Sequence, residues 1–149
     1  MSKILNYTTD IPVHKTISEI QELLVKAKAS AIAFDYDDSQ NIKSVFFKIK
    51  RQDGTELPFK LPAKAEAVYQ KLYAGKSGEW RYKDSRMDQS RRTAWRIILT
   101  WLKAQMALLE LEMVKAEELF LPYMMVSSNQ TLFESMEQKG FLLSGPKND

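Results

Sequence analysis

The strongest pattern of apolar and polar positions in the chain runs from Asp88 to Met125. Apolar side chains recur at Trp95, Ile98, Leu102, Met106, Leu109, Met113, Ala116 and Phe120, in steps of three and four. That spacing marks one face of an α-helix. A second row follows Ala94, Ile97, Trp101, Ala104, Leu108 and Leu111, so the helix should be buried over a wide face. Pro122 lacks an N–H and ends it. The pattern predicts one helix over residues 90 to 120, about 45 Å long.

Before residue 62 the period changes. Ile4 to Thr9 and Ala31 to Tyr36 read as short strands, and Val45, Phe47 and Ile49 share one face of another over Ile42 to Lys50. Asp53-Gly54 is a hairpin signal, and Leu57, Phe59 and Leu61 alternate after it. Pro58 cannot donate to a ladder, which places that last strand at an edge or bulge. Thr16 with Glu19, and Thr131 with Glu134, have capping-box spacing and predict helices after them. Pro62 suits the first turn of a further helix that carries Val68, Tyr69, Leu72 and Tyr73 and stops at Gly75. Residues 75 to 88 read as a polar connection, and Phe141, Leu142 and Leu143 as a docked tail. The expected fold is one α+β domain over residues 1–149. A small antiparallel sheet of three or four strands fills the N-terminal half and packs on helices, including the long one.

Composition removes several function classes. Among 149 residues there is no cysteine and only one histidine, His14, so thiolate and familiar zinc sites are excluded. No phosphate-binding glycine loop or Ser-His-Asp set is present. No cofactor is implied, and the chain reads as non-enzymatic. The start of the chain has no apolar signal core and no run is long enough to span a membrane, which points to a cytoplasmic protein. "DYDD" places Asp35 and Asp37 where paired carboxylates can hold a divalent cation, a weaker reading than a strand end and turn.

Charge supplies the sharper clue. Lys76, Arg81, Lys83, Arg86, Arg91, Arg92, Arg96 and Lys103 stand against Glu79, Asp84 and Asp88, a balance of +5 that leaves −2 for the rest of the chain. Along the expected helix, arginines come first, and Glu110, Glu112, Glu117 and Glu118 come last. The helix dipole prefers the reverse, by roughly 0.3–1 kcal/mol per end charge. Trp80, Tyr82 and Trp95 lie among the cations, and aromatic rings beside arginine can stack bases. The candidate binding residues are therefore Trp80, Arg81, Tyr82, Lys83, Arg86, Arg91, Arg92 and Arg96. Arg92 and Arg96 are four apart and can share one bound group. The bland alternative is a solvated face whose arginines pair with internal carboxylates. Phe46 with Lys48, Lys50 and Lys60 forms a second, weaker candidate on the sheet, where lysines more often protect an edge. Tyr123, Met124 and Met125 either form a homo-oligomer patch or fold back as core.

The segments "KILNYTTDIPVHKTISEIQELL", "FDYDD", "PFKLP", "TAWRIILTWLKAQMALLELEMV" and "FLPYMM" together resemble a family of small proteins encoded by phages, prophages and mobile elements. The shared features fall at Ala94-Trp95-Arg96, Trp101, Ala104-Gln105 and Phe120 to Tyr123. The resemblance carries no catalytic residues with it. It implies an accessory protein in a bacterial cytoplasm, of a kind that serves replication, recombination or counter-defence. Two partners follow from these readings. One is nucleic acid held by the basic region. The other is a host defence protein or nucleoprotein, engaged by an inhibitor.

Overall fold

The computed structural model describes residues 4–141. Helix α1 (Val13–Lys26) leads into strands β1 (Ala29–Tyr36), β2 (Ile42–Lys50) and β3 (Glu56–Pro62). Helix α2 (Ala65–Tyr73) and the long α3 (Lys83–Glu110) follow. A short α4 (Ala116–Leu119), a 3-10 turn over Leu121–Tyr123, a small hairpin of β4 (Met125–Ser127) and β5 (Gln130–Thr131), and α5 (Leu132–Gln138) complete the fold. The architecture is α+β, with a three-stranded antiparallel sheet in the order β1-β2-β3. No helix among the described residues is long and apolar enough to cross a membrane.

The alternation in β2 buries Val45, Phe47 and Ile49 on the face toward α1 and α3. Phe59 and Leu61 of β3 join them, as the register Phe47↔Phe59 and Val45↔Leu61 requires. Pro58 lies on an edge strand, where its missing N–H costs no ladder bond. Asp53 caps the β2–β3 turn by accepting from the Thr55 N–H at 2.9 Å, and Gly54 supplies the positive φ of 89°. In α3, Trp95, Leu99, Leu102 and Met106 are buried. Trp95 also donates its indole N–H to the Ile42 carbonyl at 3.2 Å, which ties the helix to the start of β2. Phe47 meets Phe59 and Phe120 with ring centroids 5.3 and 5.0 Å apart, so the core is an aromatic stack closed by Phe120.

Several expectations change. The long helix starts at Lys83 and ends at Glu110, so it is shifted rather than extended to Phe120. Its end is a Schellman turn: Met113 N–H bonds the Leu108 carbonyl at 2.9 Å and Glu112 N–H bonds that of Leu109 at 3.1 Å. Glu112 takes the left-handed conformation, φ 57°, where glycine is usual. Met113 is consequently exposed, and Ile98 and Leu109 are half-buried while Leu99 takes the core position. Of the acids that opposed the dipole, Glu110 stays as the last residue of α3, and Glu112, Glu117 and Glu118 lie beyond the helix. Glu117 and Glu118 lie in the first turn of α4, where negative charge is favoured.

Residues 5 to 8 form turns, with Asn6 at φ 62°, in place of the expected first strand. Alternation there has no neighbouring strand to pair with; the segment is held on α3 by side-chain bonds. Helix α1 begins at Val13, so Thr16 lies inside it and is buried, and no capping box forms with Glu19. Pro62 is the last residue of β3 instead of a helix start. The Thr131–Glu134 box does form: Glu134 N–H donates to the Thr131 hydroxyl at 3.2 Å and Thr131 N–H to the Glu134 carboxylate at 2.9 Å. Tyr123 and Met124 fold back onto the core, Tyr123 edge-on to Trp101 at 5.9 Å. Phe141 packs on Phe133 at 5.8 Å and stays half exposed; Leu142 and Leu143 lie outside the described residues.

Candidate nucleic-acid interface

The residues 76 to 103 divide into two groups with different surroundings. The first group is internally satisfied. Arg96 meets the Glu19 carboxylate of α1 at 2.6 Å, and its side chain is 16% exposed. Arg91 meets Asp88 at 2.6 Å and lies close enough to Asp37 to help lower that carboxyl. Arg92 donates from Nε to the Gln89 side-chain oxygen at 3.1 Å. Gln89 in turn donates to the carbonyls of Tyr7 and Thr9 at 3.0 and 2.8 Å. Thr93 adds a bond to the Asn6 carbonyl. This row of α3 therefore staples the N-terminal segment to the helix. Arg92 and Arg96 do not converge on one bound group: each has its own internal partner.

The second group is the turn before α3. It begins with Gly78, whose φ of 75° only glycine adopts without strain. A Cβ there would stand 2.7 Å from the Tyr82 ring, so Gly78 also lets that ring close over the backbone. The Tyr82 N–H bonds the Gly78 carbonyl at 2.9 Å. Arg86, one turn into α3, places its guanidinium 5.3 Å from the Tyr82 ring and 5.4 Å from the Tyr73 ring. It donates to the Ser77 carbonyl at 3.1 Å. Arg86 is thus the clamp that joins the end of α2, the turn and the start of α3. Cation–π contacts of this kind contribute roughly 0.5–2 kcal/mol each.

What the clamp holds out is Trp80, 91% exposed, beside Tyr82 at 47%. Lys76, Arg81 and Lys83 are exposed around them, and among the described residues none of the three pairs with a carboxylate. Arg81 lies 5.8 Å from the Tyr82 ring. Glu79 and Asp84 are the acids of this stretch. Helix α3 starts here with no side-chain cap, so its first-turn N–H groups and positive dipole end add to the same potential.

The other candidates have structural roles or lie elsewhere. Asp35 accepts from the Ser44 hydroxyl at 3.3 Å and sits 3.7 Å from Lys43. Asp37 accepts from the backbone N–H groups of Asn41 and Ser39, each at 2.9 Å. The Asn41 bond, first, holds the Asp37 carboxyl below the ordinary value of 3.8 against an opposing effect of burial, and the Ser39 bond adds to the lowering. Among the described residues no three acidic or histidine side chains gather as a metal site would require. His14 is exposed on α1. On the open face of the sheet, Lys60 lies over the Phe46 ring at 5.4 Å. A groove of about 430 Å³ between α2, α3 and β3 is lined mainly by Val68, Ile97, Ile98, Trp101 and Tyr123 and contains no part of the basic turn.

Trp80, Arg81, Tyr82 and Lys83, singled out in the sequence as aromatic residues among cations, fall together on this turn. Lys76, counted in the basic stretch but left out of the candidate residues, lies on the same turn, and the clamping contacts of Tyr73, Ser77 and Gly78 were not anticipated. The Gly-x-x-x-Tyr spacing was the one local signal for the clamp. The sequence matches no protein-family model, no curated protein and no solved structure.

Proposed function

We propose that the chain is a non-enzymatic nucleic-acid-binding protein that takes single-stranded nucleic acid across the turn 76–83. The observation that carries the reading is Trp80, almost fully exposed between Lys76, Arg81 and Lys83 on a turn that Arg86 and Tyr82 hold in shape. An exposed indole among cations without carboxylate partners is the arrangement that base stacking combined with phosphate contact uses. Stacking one base on such a ring contributes roughly 1–3 kcal/mol. The three cations stand where the flanking phosphates would pass, and phosphate contacts position the strand without reading its sequence. Paired bases in a duplex do not offer their faces to Trp80, so a single strand is favoured. In the mobile-element setting that the resemblance implies, such a protein would attend replication or recombination intermediates.

The test is fluorescence anisotropy with labelled single-stranded DNA, single-stranded RNA and duplex. Single strands should bind more tightly than duplex, and binding should quench intrinsic tryptophan fluorescence. The quench should vanish in Trp80→Ala, because Trp95 is buried and Trp101 is half-buried. Absence of binding at low salt, or quenching that survives Trp80→Ala, overturns the proposal. Cations that instead engage an acidic surface on a host defence protein would leave the oligonucleotides unbound.

A further inference from the structure

The two edges of the sheet are built differently. The β3 edge is protected: Pro58 lies in its middle, and Met124 bridges to Phe59 across it. The β1 edge is bare. Among the described residues, no backbone hydrogen bond outside its ladder with β2 engages Ala29–Tyr36. Its centre, Ala31 to Phe34, carries no charge and no proline, the devices that normally stop an edge from pairing. Register shifts fall between Ala29 and Ala31 and between Asp35 and Tyr36, so the regular stretch is Ala31–Asp35, centred on Ala33.

Charge is arranged around that centre as well. Lys26 and Lys28 precede the strand, and Asp35, Asp37 and Asp38 end and follow it. Lys26, Lys28 and Asp38 have no ion-pair partner among the described residues. The segment is therefore basic at its start, neutral in its middle and acidic at its end. A strand of this kind is complementary to a reversed copy of itself.

We propose that the chain forms a homodimer by antiparallel pairing of β1 with β1 of a second copy, on a two-fold axis through Ala33. Opposite residues of an antiparallel pair share a face. With Ala33 facing its own copy, Ile32 lies opposite the second copy's Phe34 on the helix side, twice over. Ala31 lies opposite Asp35, which keeps the two aspartates apart. The acidic end of each strand runs beside the basic start of the other. The result is a six-stranded sheet whose open face carries two copies of the Phe46 and Lys60 pair. An isologous contact of this kind closes on itself and gives dimers rather than filaments.

The test is the mass of the full chain by light scattering or sedimentation. The wild type should run at twice its 17.3 kDa. Ala33→Glu and Ala33→Lys each place two like charges on the axis and should each run as monomers with an unchanged far-ultraviolet circular dichroism spectrum. Ala33 is exposed, so either side chain has room in the monomer. Mixing the two variants should restore a dimer through a Glu–Lys pair. A monomeric wild type, variants that stay dimeric, or a mixture that stays monomeric overturns the proposal.

Discussion

Arg96 and Arg81 are the same residue type on adjoining stretches of chain, yet they do opposite things. Arg96 sits in the packed part of α3, where Glu19 compensates its charge at 2.6 Å and most of its side chain is covered. Arg81 sits on the turn before α3, exposed, beside Tyr82 and without a carboxylate partner among the described residues. The first holds α1 against α3. The second leaves a positive potential at the surface. A count of cations treats the two alike. What separates a fold-holding arginine from a ligand-seeking one is whether the protein has already supplied its counter-charge. The same division separates Arg91, paired with Asp88, from Lys76 and Lys83, which have no carboxylate partner among the described residues; Arg92 lies between them, bonded to the neutral Gln89 side chain without a counter-charge.

The largest effect should come from the packed side of this comparison. Leu102→Ala removes a fully buried side chain of α3 and should lower stability by about 2–5 kcal/mol in urea unfolding. Oligonucleotide affinity per folded molecule should not change. Trp80→Ala is the mirror case. It should weaken single-strand binding by roughly 1–3 kcal/mol in anisotropy titrations and leave the unfolding midpoint in place. Equal losses of stability in both variants would erase the distinction between the two regions.

Arg96→Ala sharpens the comparison further. Its pair is neither open nor fully enclosed, with Glu19 35% exposed. The loss should fall between that of an exposed pair, roughly 0–1 kcal/mol, and a buried one, roughly 3–5 kcal/mol. A double-mutant cycle with Glu19→Ala should recover the coupling, and binding should be unaffected. The smallest effect concerns Asp37, another charge with internal partners. Its carboxyl is depressed by the Asn41 and Ser39 N–H groups, so the folded state favours the ionised form. Its stabilisation is present above the ordinary value of 3.8 and is lost as pH falls through the lower folded value. Asp37→Asn should therefore lower stability slightly at neutral pH and change it least at acid pH, where Asp37 is already protonated, so that the acid limb of a stability-against-pH curve is flatter in thermal melts.

Most of the fold was legible because it rests on long periodic stretches. Residues 95 to 106 show their buried face in the spacing of Trp95, Leu102 and Met106, and β2 shows its own in Val45, Phe47 and Ile49. The ends of α3 were not legible. "KDSRMDQS" is helical, but it packs mainly through the polar side chains Arg86, Gln89 and Ser90, so it has no apolar rhythm to read. The far end turns at Glu112, a residue with no preference for the left-handed conformation that it adopts. Strands β4 and β5 are three and two residues long, too short for alternation to register. Within the site, aromatic residues among cations marked Trp80 to Lys83. The pairing of Arg96 with Glu19 joins residues 77 positions apart, and Arg86 finds Tyr73 across a turn. Such contacts exist only once the helices are packed, so sequence spacing shows the i,i+3 partners of Arg91 and Arg92 but not those of Arg96 and Arg86.

Position, and not the number of cations, makes the proposed binding surface. The measurement that tests this most directly compares two charge-matched double variants in a salt titration of single-stranded oligonucleotide binding. Arg81→Ala with Lys83→Ala removes two charges from the turn; Arg91→Ala with Arg96→Ala removes two from the packed helix. Each phosphate contact on a single strand contributes about 0.7 to the slope of log affinity against log salt. The account predicts that the first variant lowers the slope by about 1.4 while the second leaves it unchanged. Equal changes in both, or a change confined to the second, would contradict it.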